Sequence, residues 1–326
     1  MPRVAIAMAV FDDERYLPQT LEALATQSTQ GFHLTVYDDA SRDRSAEVAE
    51  GFAQRMPLTV IRGSHRGRHL AKVEARRRAV TAPYLLVLDS DVELPRDALA
   101  RMTALLDADP RVAVVSAIAR AFEARPYGRA QAFIEDVFFH SNADAEGQGR
   151  WIVGGCAMFR GSAIEGIEVR SDLGEDNDLS EKLRRSWRIL APLDLVAVHY
   201  GVPTTLGGVL LRFQRDGVRV RAMLRAYPGT RQLGNLARLA PLPLALLLLG
   251  GAACRSTAVA GAAGALLFAY VGAFLWASRR VVAPPSVRLA GALLFAVGNL
   301  GFGLGYLREA LRGRSALMRE PERPAR

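Results

Sequence analysis

The strongest constraint on this chain's fold lies near its end, in two runs without charge. Ser256–Ala277 is 22 residues with no charged side chain, and Leu289–Leu307 is 19 residues in which Asn299 is the polar exception. About 20 helical residues cross a bilayer core, so both runs are expected to span a membrane. Leu239–Ala253 is shorter and holds Pro241 and Pro243, and is expected to fall short of a full crossing. After Leu307 the tail carries Arg308, Arg312, Arg314, Arg319, Arg323 and Arg326, against Arg279, Arg280 and Arg288 between the two runs. The positive-inside bias then favours two crossings and a cytoplasmic tail.

Charge divides the chain in the same place. From Leu236 onward eleven Arg stand against Glu309, Glu320 and Glu322, a net +8 of the total +9. Residues 1–235 are therefore nearly neutral, which does not suit a binder of phosphate backbones, and no nucleic-acid partner is expected. Cys156 and Cys254 are too few for a zinc site or a disulfide framework. The first apolar run, Val4–Val10, is short and meets Asp12-Asp13-Glu14 at once, unlike a secretory leader. We expect a cytoplasmic main domain over residues 1–235. Residues 236–326 are expected to anchor it to the cell (inner) membrane through helices with a basic tail.

The first half alternates strand and helix. Val4–Val10, His33–Tyr37, Leu58–Arg62, Tyr84–Leu88 and Val112–Ser116 read as strands. Between them Glu14–Gln27, Ser45–Arg55, Leu70–Val80 and Asp97–Leu106 read as helices. Such alternation predicts an α/β, Rossmann-like, mostly parallel sheet with helices on both faces, whose ligands sit beyond the carboxyl ends of the strands. Asp38-Asp39 and Asp89-Ser90-Asp91 both fall at that edge. The second half is less regular, with a helical stretch over Gly174–Arg188 and a short strand over Leu193–Val198 before His199.

Carboxylates two residues apart at a strand end can face one pocket and hold a hard cation such as Mg²⁺ or Mn²⁺. A solvated turn is the plain alternative for Asp89-Ser90-Asp91, because Asp is common after strands. One carboxylate of Asp38-Asp39 can accept hydrogen bonds from a nucleobase or ribose, or the pair can simply shape a turn with an N-cap for the next helix. Asp176 and its neighbours can equally be an acidic helix start stabilised by its dipole.

Taken together these blocks resemble the family 2 glycosyltransferases with the GT-A fold, over roughly residues 4–230. Phe11, Asp12, Glu14 and Leu17 fall in register with that family's opening turn, and Leu24 and Gln27 with the end of its first helix. Val36–Asp43 and Leu85–Asp91 are similar to its two acidic strand ends, the second being the D-x-D motif. Gly174-Glu175-Asp176-Asn177-Asp178-Leu179 is similar to its later acidic block. The resemblance implies a nucleotide-diphosphate sugar as donor, a divalent metal (Mn or Mg) as cofactor, and inverting transfer. It implies a glycan, lipid-linked or small-molecule acceptor. The Q-x-x-R-W motif of polymerising relatives is missing, since Arg185-Ser186-Trp187 breaks its spacing, and non-processive transfer is expected. Asp176 is expected to be the catalytic base. Phe11, Asp39, Asp89 and Arg76 are expected to hold the donor, and Asp91, Asp89 and His199 the metal, with Trp151 and Glu175 on the acceptor side. The chain departs from the family at Ala9 and Asp12, and Glu74-Ala75-Arg76-Arg77-Arg78 occupies the region of the family's A-R-N block. The rival readings are a nucleotidyltransferase of similar fold and a non-catalytic membrane scaffold. The first wants a basic, Gly-rich loop where Ala9–Arg15 is acidic, and the second predicts decay of acidic motifs that are all present.

Overall fold

A computed structural model describes residues 1–124, 127–170, 173–227 and 231–311, the side chains of 231–234 excepted. The arginines from 312 onward, on which the expected topology leaned, lie outside the described residues. The chain divides into two compact units, Met1–Phe122 with Phe138–Val202, and Glu123–Val137 with the chain from Pro203 onward.

In the first unit the order is β1 (Val4–Val10), α1 (Leu17–Ala25), β2 (Phe32–Asp38), α2 (Ser45–Gly51), β3 (Leu58–Arg62), α3 (Arg68–Arg78) and β4 (Tyr84–Leu88). There follow β5 (Val92–Glu93), α4 (Ala98–Ala108), β6 (Val112–Ser116) and β7 (Ile118–Ala121). Helix α5 (Gly128–Asn142) is shared between the two units. The first unit ends with β8 (Cys156–Arg160), α6 (Gly161–Ile164), α7 (Glu175–Leu183), β9 (Arg188–Leu190) and β10 (Val196–His199). Seven strands form one sheet in the order β3-β2-β1-β4-β8-β6-β9, and β5-β10-β7 form a second. In the seven-stranded sheet β8 alone runs antiparallel to its neighbours, β4 and β6.

The strands are near-continuous apolar runs because helices cover both faces, as parallel sheets require. Ile6, Met8, Leu34, Val36 and Leu86 are fully buried, and α1 lays Leu17, Leu21 and Leu24 on that core at helical spacing. Gln27 is a structural tie: its amide donates to the carbonyl of Pro95 (2.9 Å) and accepts from the N–H of Leu99 (3.1 Å). The register Val10↔Asp38 and Val4↔Tyr84 brings the ends of β1, β2 and β4 to one edge. Several expected elements differ in extent. The helix expected over Glu14–Gln27 covers Leu17–Ala25, and the stretch expected over Gly174–Arg188 is helical only to Leu183, with Arg188 opening β9. Helix α2 stops at Gly51, and the strand expected over Leu193–Val198 is β10, shifted to include His199.

The second unit holds α8 (Leu206–Ala226), a 3₁₀ segment over Arg231–Leu239, α9 (Pro241–Ala253), α10 (Thr257–Ala277) and α11 (Pro285–Leu311). Helix α8 lays backbone against α11, where Gly301 faces the carbonyl of Leu210 and Gly305 that of Gln214. Asn299 is accounted for by Arg238, whose Nε donates to its Oδ1 at 2.9 Å and whose guanidinium stacks 4.1 Å over Phe302. The run expected to fall short of crossing is longer than its sequence suggested. Residues Asn235–Ala253, Thr257–Arg280 and Pro285–Leu311 are all long and apolar enough to cross a membrane. Helices α9 and α10 form an antiparallel hairpin in which Gly251 meets Ala260 and Leu248 meets Gly264. A turn of Cys254–Ser256 joins them, so α9 runs back along its partner despite its two prolines.

Candidate active site

The carboxyl edge of β1, β2 and β4 opens on a cavity of about 320 Å³ lined by Phe11, Asp13, Asp39, His65, Arg68, Lys72, Asp89 and Asp91, among others. That volume lies at the small end of the ligand-pocket range. Of the residues expected at the site, Phe11, Asp39, Asp89 and Asp91 line this cavity, with His199 beside Asp91. Arg76, Trp151, Glu175 and Asp176 do not line it.

Phe11 stays 39% exposed, with the His65 ring tilted against it at 4.5 Å and the Arg42 guanidinium 5.5 Å from its centroid. A partly exposed ring at a cavity rim offers a flat apolar face to a planar ligand. Asp39 is buried and accepts from the N–H groups of Arg66 (2.7 Å) and Gly67 (2.9 Å), with His65 Nδ1 at 3.1 Å. It therefore fixes the loop into α3, which aims Arg68 and Lys72 at the cavity.

Asp89 is engaged by Lys72 Nζ, and by Arg68 at 3.4 Å. Burial alone would raise its pKa, but these two cations outweigh burial and hold the carboxyl well below the usual range. Asp91 differs. Its Oδ2 lies 3.3 Å from His199 Nε2, while its buried Oδ1 has no hydrogen-bond partner among the described residues. Pairing of His199 with Val92 across β10 and β5 brings the imidazole there. An orphaned carboxylate oxygen beside an imidazole fits one face of a divalent cation, and Mg²⁺ commonly takes one or two carboxylates and completes its shell with substrate phosphates. No group of three or more His, Cys, Asp or Glu able to hold a metal occurs among the described residues. With Asp89 held by cations, Asp91 and His199 are the pair that fits.

Four titratable residues of this cavity, Asp13, His65, Arg68 and Lys72, escaped the sequence reading. Lys72 is one of only two lysines in an Arg-rich chain, which was its one available signal. Asp13 is half-buried, and burial pushes its pKa up to about 6, opposed by a hydrogen bond with Ser90 and reinforced by Asp91, Asp43 and Asp89. Its folded value thus exceeds the ordinary carboxylate value of about 3.9. The stability it contributes is present below that ordinary value and is lost as pH rises through about 6. Asp13→Asn is expected to stabilise the metal-free protein by roughly 1–3 kcal/mol at pH 8 and by almost nothing at pH 4. Thermal melts at the two pH values check this; equal shifts at both would contradict it.

Glu175 and Asp176 open α7, after Gly174 at φ 83°. Glu175 is 7% exposed, and burial raises its pKa against the pull of Arg76, which lies 3.3 Å from it. The Arg76 guanidinium also donates to the carbonyl of Ile167 (3.3 Å), so it ties α3 to the α6–α7 segment. Oδ2 of Asp176 lies against Gly154. Trp151 is half-buried, its backbone pinned by Asn142, which accepts from its N–H (3.0 Å) and donates to its carbonyl (3.1 Å).

Comparison with known proteins bears on this arrangement. The undecaprenyl-phosphate 4-deoxy-4-formamido-L-arabinose transferase of Pseudomonas fluorescens is 30% identical over 107 residues. The protein of the same name from Photorhabdus laumondii is 27% identical over 106. The chain spans only about a third of the length of these relatives, 31% and 32%. Among solved structures, the mannosyltransferase PcManGT from Pyrobaculum calidifontis, in complex with GDP-Man and Mn²⁺, superposes with a TM-score of 0.62 at 23% identity. That superposition covers 92% of this chain and 87% of the other, and it shows a shared GT-A fold. Residues 5–167, half of the chain, match the family model for Glycosyl transferase family 2. This chain belongs to glycosyl transferase family 2.

Proposed function

We propose that this protein transfers a sugar, with inversion, from a nucleotide-diphosphate sugar to the hydroxyl of a lipid-linked acceptor at a membrane. The observation that carries the reading is the cavity at the carboxyl edge of the sheet, where an apolar ring, two cations and an oxygen of Asp91 without a partner among the described residues meet. Phe11 and His65 offer flat faces to a nucleobase. Lys72 and Arg68 supply the positive charge a diphosphate requires, a role the sequence alone suggested for Arg76. Asp91 and His199 would hold a divalent metal, which when bound supplies Lewis-acid neutralisation of the leaving diphosphate. Asp176 takes the proton of the acceptor hydroxyl as its oxygen attacks the anomeric carbon; the bond to the donor phosphate breaks and the nucleoside diphosphate leaves. A polyprenyl phosphate acceptor is a second reading, favoured by the names of the Pseudomonas and Photorhabdus relatives.

Isothermal calorimetry with a panel of nucleotide sugars tests the donor site. Lys72→Met is expected to weaken binding of the preferred donor by about 10-fold or more, as loss of a charge-assisted hydrogen bond does. Undiminished affinity would remove Lys72 from the diphosphate site.

We further propose that residues 236–326 anchor the chain and that its N-terminal part faces the cytoplasm, where nucleotide sugars are made. Three crossings by α9, α10 and α11 are supported by the length and apolarity of all three helices. They return Arg279 and Arg280 to the cytoplasmic side but place Arg308 and the arginines after it outside, against the positive-inside bias that favoured two. A cysteine at Val282, which is fully exposed, introduced with Cys254 replaced, reports the count. Protection from an impermeant thiol reagent in intact cells is expected. Labelling from outside would mean two crossings.

A further inference from the structure

Two glycines in the first unit lie against the two carboxylates on which the proposed reaction depends. A Cβ at Gly201 would overlap Oδ2 of Asp91 and stand 3.0 Å from its Cγ. A Cβ at Gly154 would stand 2.7 Å from Oδ2 of Asp176 and 3.4 Å from its Cγ. Real Cβ atoms essentially never approach a heavy atom closer than 3.0 Å. Neither glycine owes its presence to backbone conformation, because neither has the positive φ that favours glycine. Gly155, by contrast, sits at φ 94° and needs glycine for that reason alone. What singles out Gly154 and Gly201 is the carboxylate that fills the place of their side chain.

The surroundings of Asp91 agree. Its backbone carbonyl accepts from the N–H of Tyr200 at 2.9 Å, and its Oδ2 faces His199. Tyr200 is itself fixed, stacked on Tyr16 at 6.1 Å, tilted against Phe122 at 5.0 Å and hydrogen-bonded to Glu93. Three consecutive residues, His199, Tyr200 and Gly201, thus shape the place of one carboxylate.

We propose that Gly201 and Gly154 are positioning residues, reserving the space in which the carboxylates of Asp91 and Asp176 take their working orientation. The inference rests on the roles proposed above for those two aspartates. A carboxylate is the far end of a flexible side chain, so an added methyl is accommodated by rotating it away. The fold survives and the orientation is lost.

The test uses the full-length protein in detergent, with Mn²⁺ alone as the probe. Gly201→Ala is expected to keep the wild-type melting temperature and to weaken Mn²⁺ binding by about 10-fold or more, as loss of a group that orients a metal ligand does. In an Asp91→Ala background the same change is expected to cost nothing further, since it acts through Asp91. Wild-type Mn²⁺ affinity in Gly201→Ala, or losses that simply add in the double variant, would overturn the proposal. Asp91→Ala binding Mn²⁺ like wild type would instead defeat the metal reading. Positioning is then decided by the metal-free structure of Gly201→Ala, where a changed Asp91 rotamer supports it and an unchanged one rejects it. Gly154→Ala is expected to lower kcat with Mn²⁺ affinity unchanged, and to have no further effect on an Asp176→Ala enzyme. An equal loss in that background would reject the second half of the proposal.

Discussion

Chelation by EDTA is expected to abolish sugar transfer, and Asp91→Ala to lose nearly all activity while remaining folded. The expectation starts from one atom. Oδ1 of Asp91 is buried and has no partner among the described residues, and leaving a buried charged oxygen unsatisfied costs more than 1–3 kcal/mol. Such an atom is kept when a ligand completes it. Asp89 should behave differently, because Lys72 and Arg68 already neutralise it. Removing it takes away the carboxylate that holds Lys72 and Arg68 in place at the cavity, so Asp89→Ala should disturb donor binding more than metal binding. Mn²⁺ titration and donor calorimetry on the two variants separate these effects. Full activity in excess chelator would contradict the assignment of Asp91.

The second large effect concerns Asp176. Asp176→Asn preserves shape but cannot accept a proton, so kcat is expected to fall by about 10²-fold or more with donor affinity nearly unchanged. The size of the fall also reports the acceptor. A hydroxyl must lose its proton during attack, whereas a lipid phosphate arrives as an anion and needs no base. A decrease of only a few fold would therefore sink the hydroxyl reading and favour the phosphate one. Loss of donor binding instead would remove Asp176 from the acceptor side altogether.

The acidic strand ends were legible because an Asp that follows an apolar run marks both a strand's end and a sheet's ligand edge. Asp39, Asp89 and Asp91 stand on that edge for this reason, and the Rossmann-like parallel order follows from the same alternation. Strand β8 was not legible. Cys156–Arg160 is five residues between a loop and the short α6, and its pairing with β4 joins segments far apart in sequence, which no local pattern encodes. Lys72 was hidden by its helix, where arginines at 68, 76, 77 and 78 suggest a solvated face. In fact Ala71 and Ala75 of α3 pack inward, and that rotation carries Lys72 to the cavity. Helix α8 was missed because its arginines at 212, 215, 219, 221 and 225 obscure a buried stripe of Val209, Phe213, Gly217 and Val220. Asp13 reads locally as a turn residue, and its perturbation comes first from burial in the tertiary fold and then from the approach of Asp91, Asp43 and Asp89.

The central claim is transfer itself. Purified full-length protein, incubated with Mn²⁺, radiolabelled nucleotide-diphosphate sugars one at a time, and extracted membrane lipid, measures it directly. The account predicts that label from one donor moves into the organic phase with release of the nucleoside diphosphate, that EDTA stops it, and that Asp176→Asn slows it. Tight binding of the sugar nucleotides without release of nucleotide or movement of label, in the presence of metal and lipid, would contradict it.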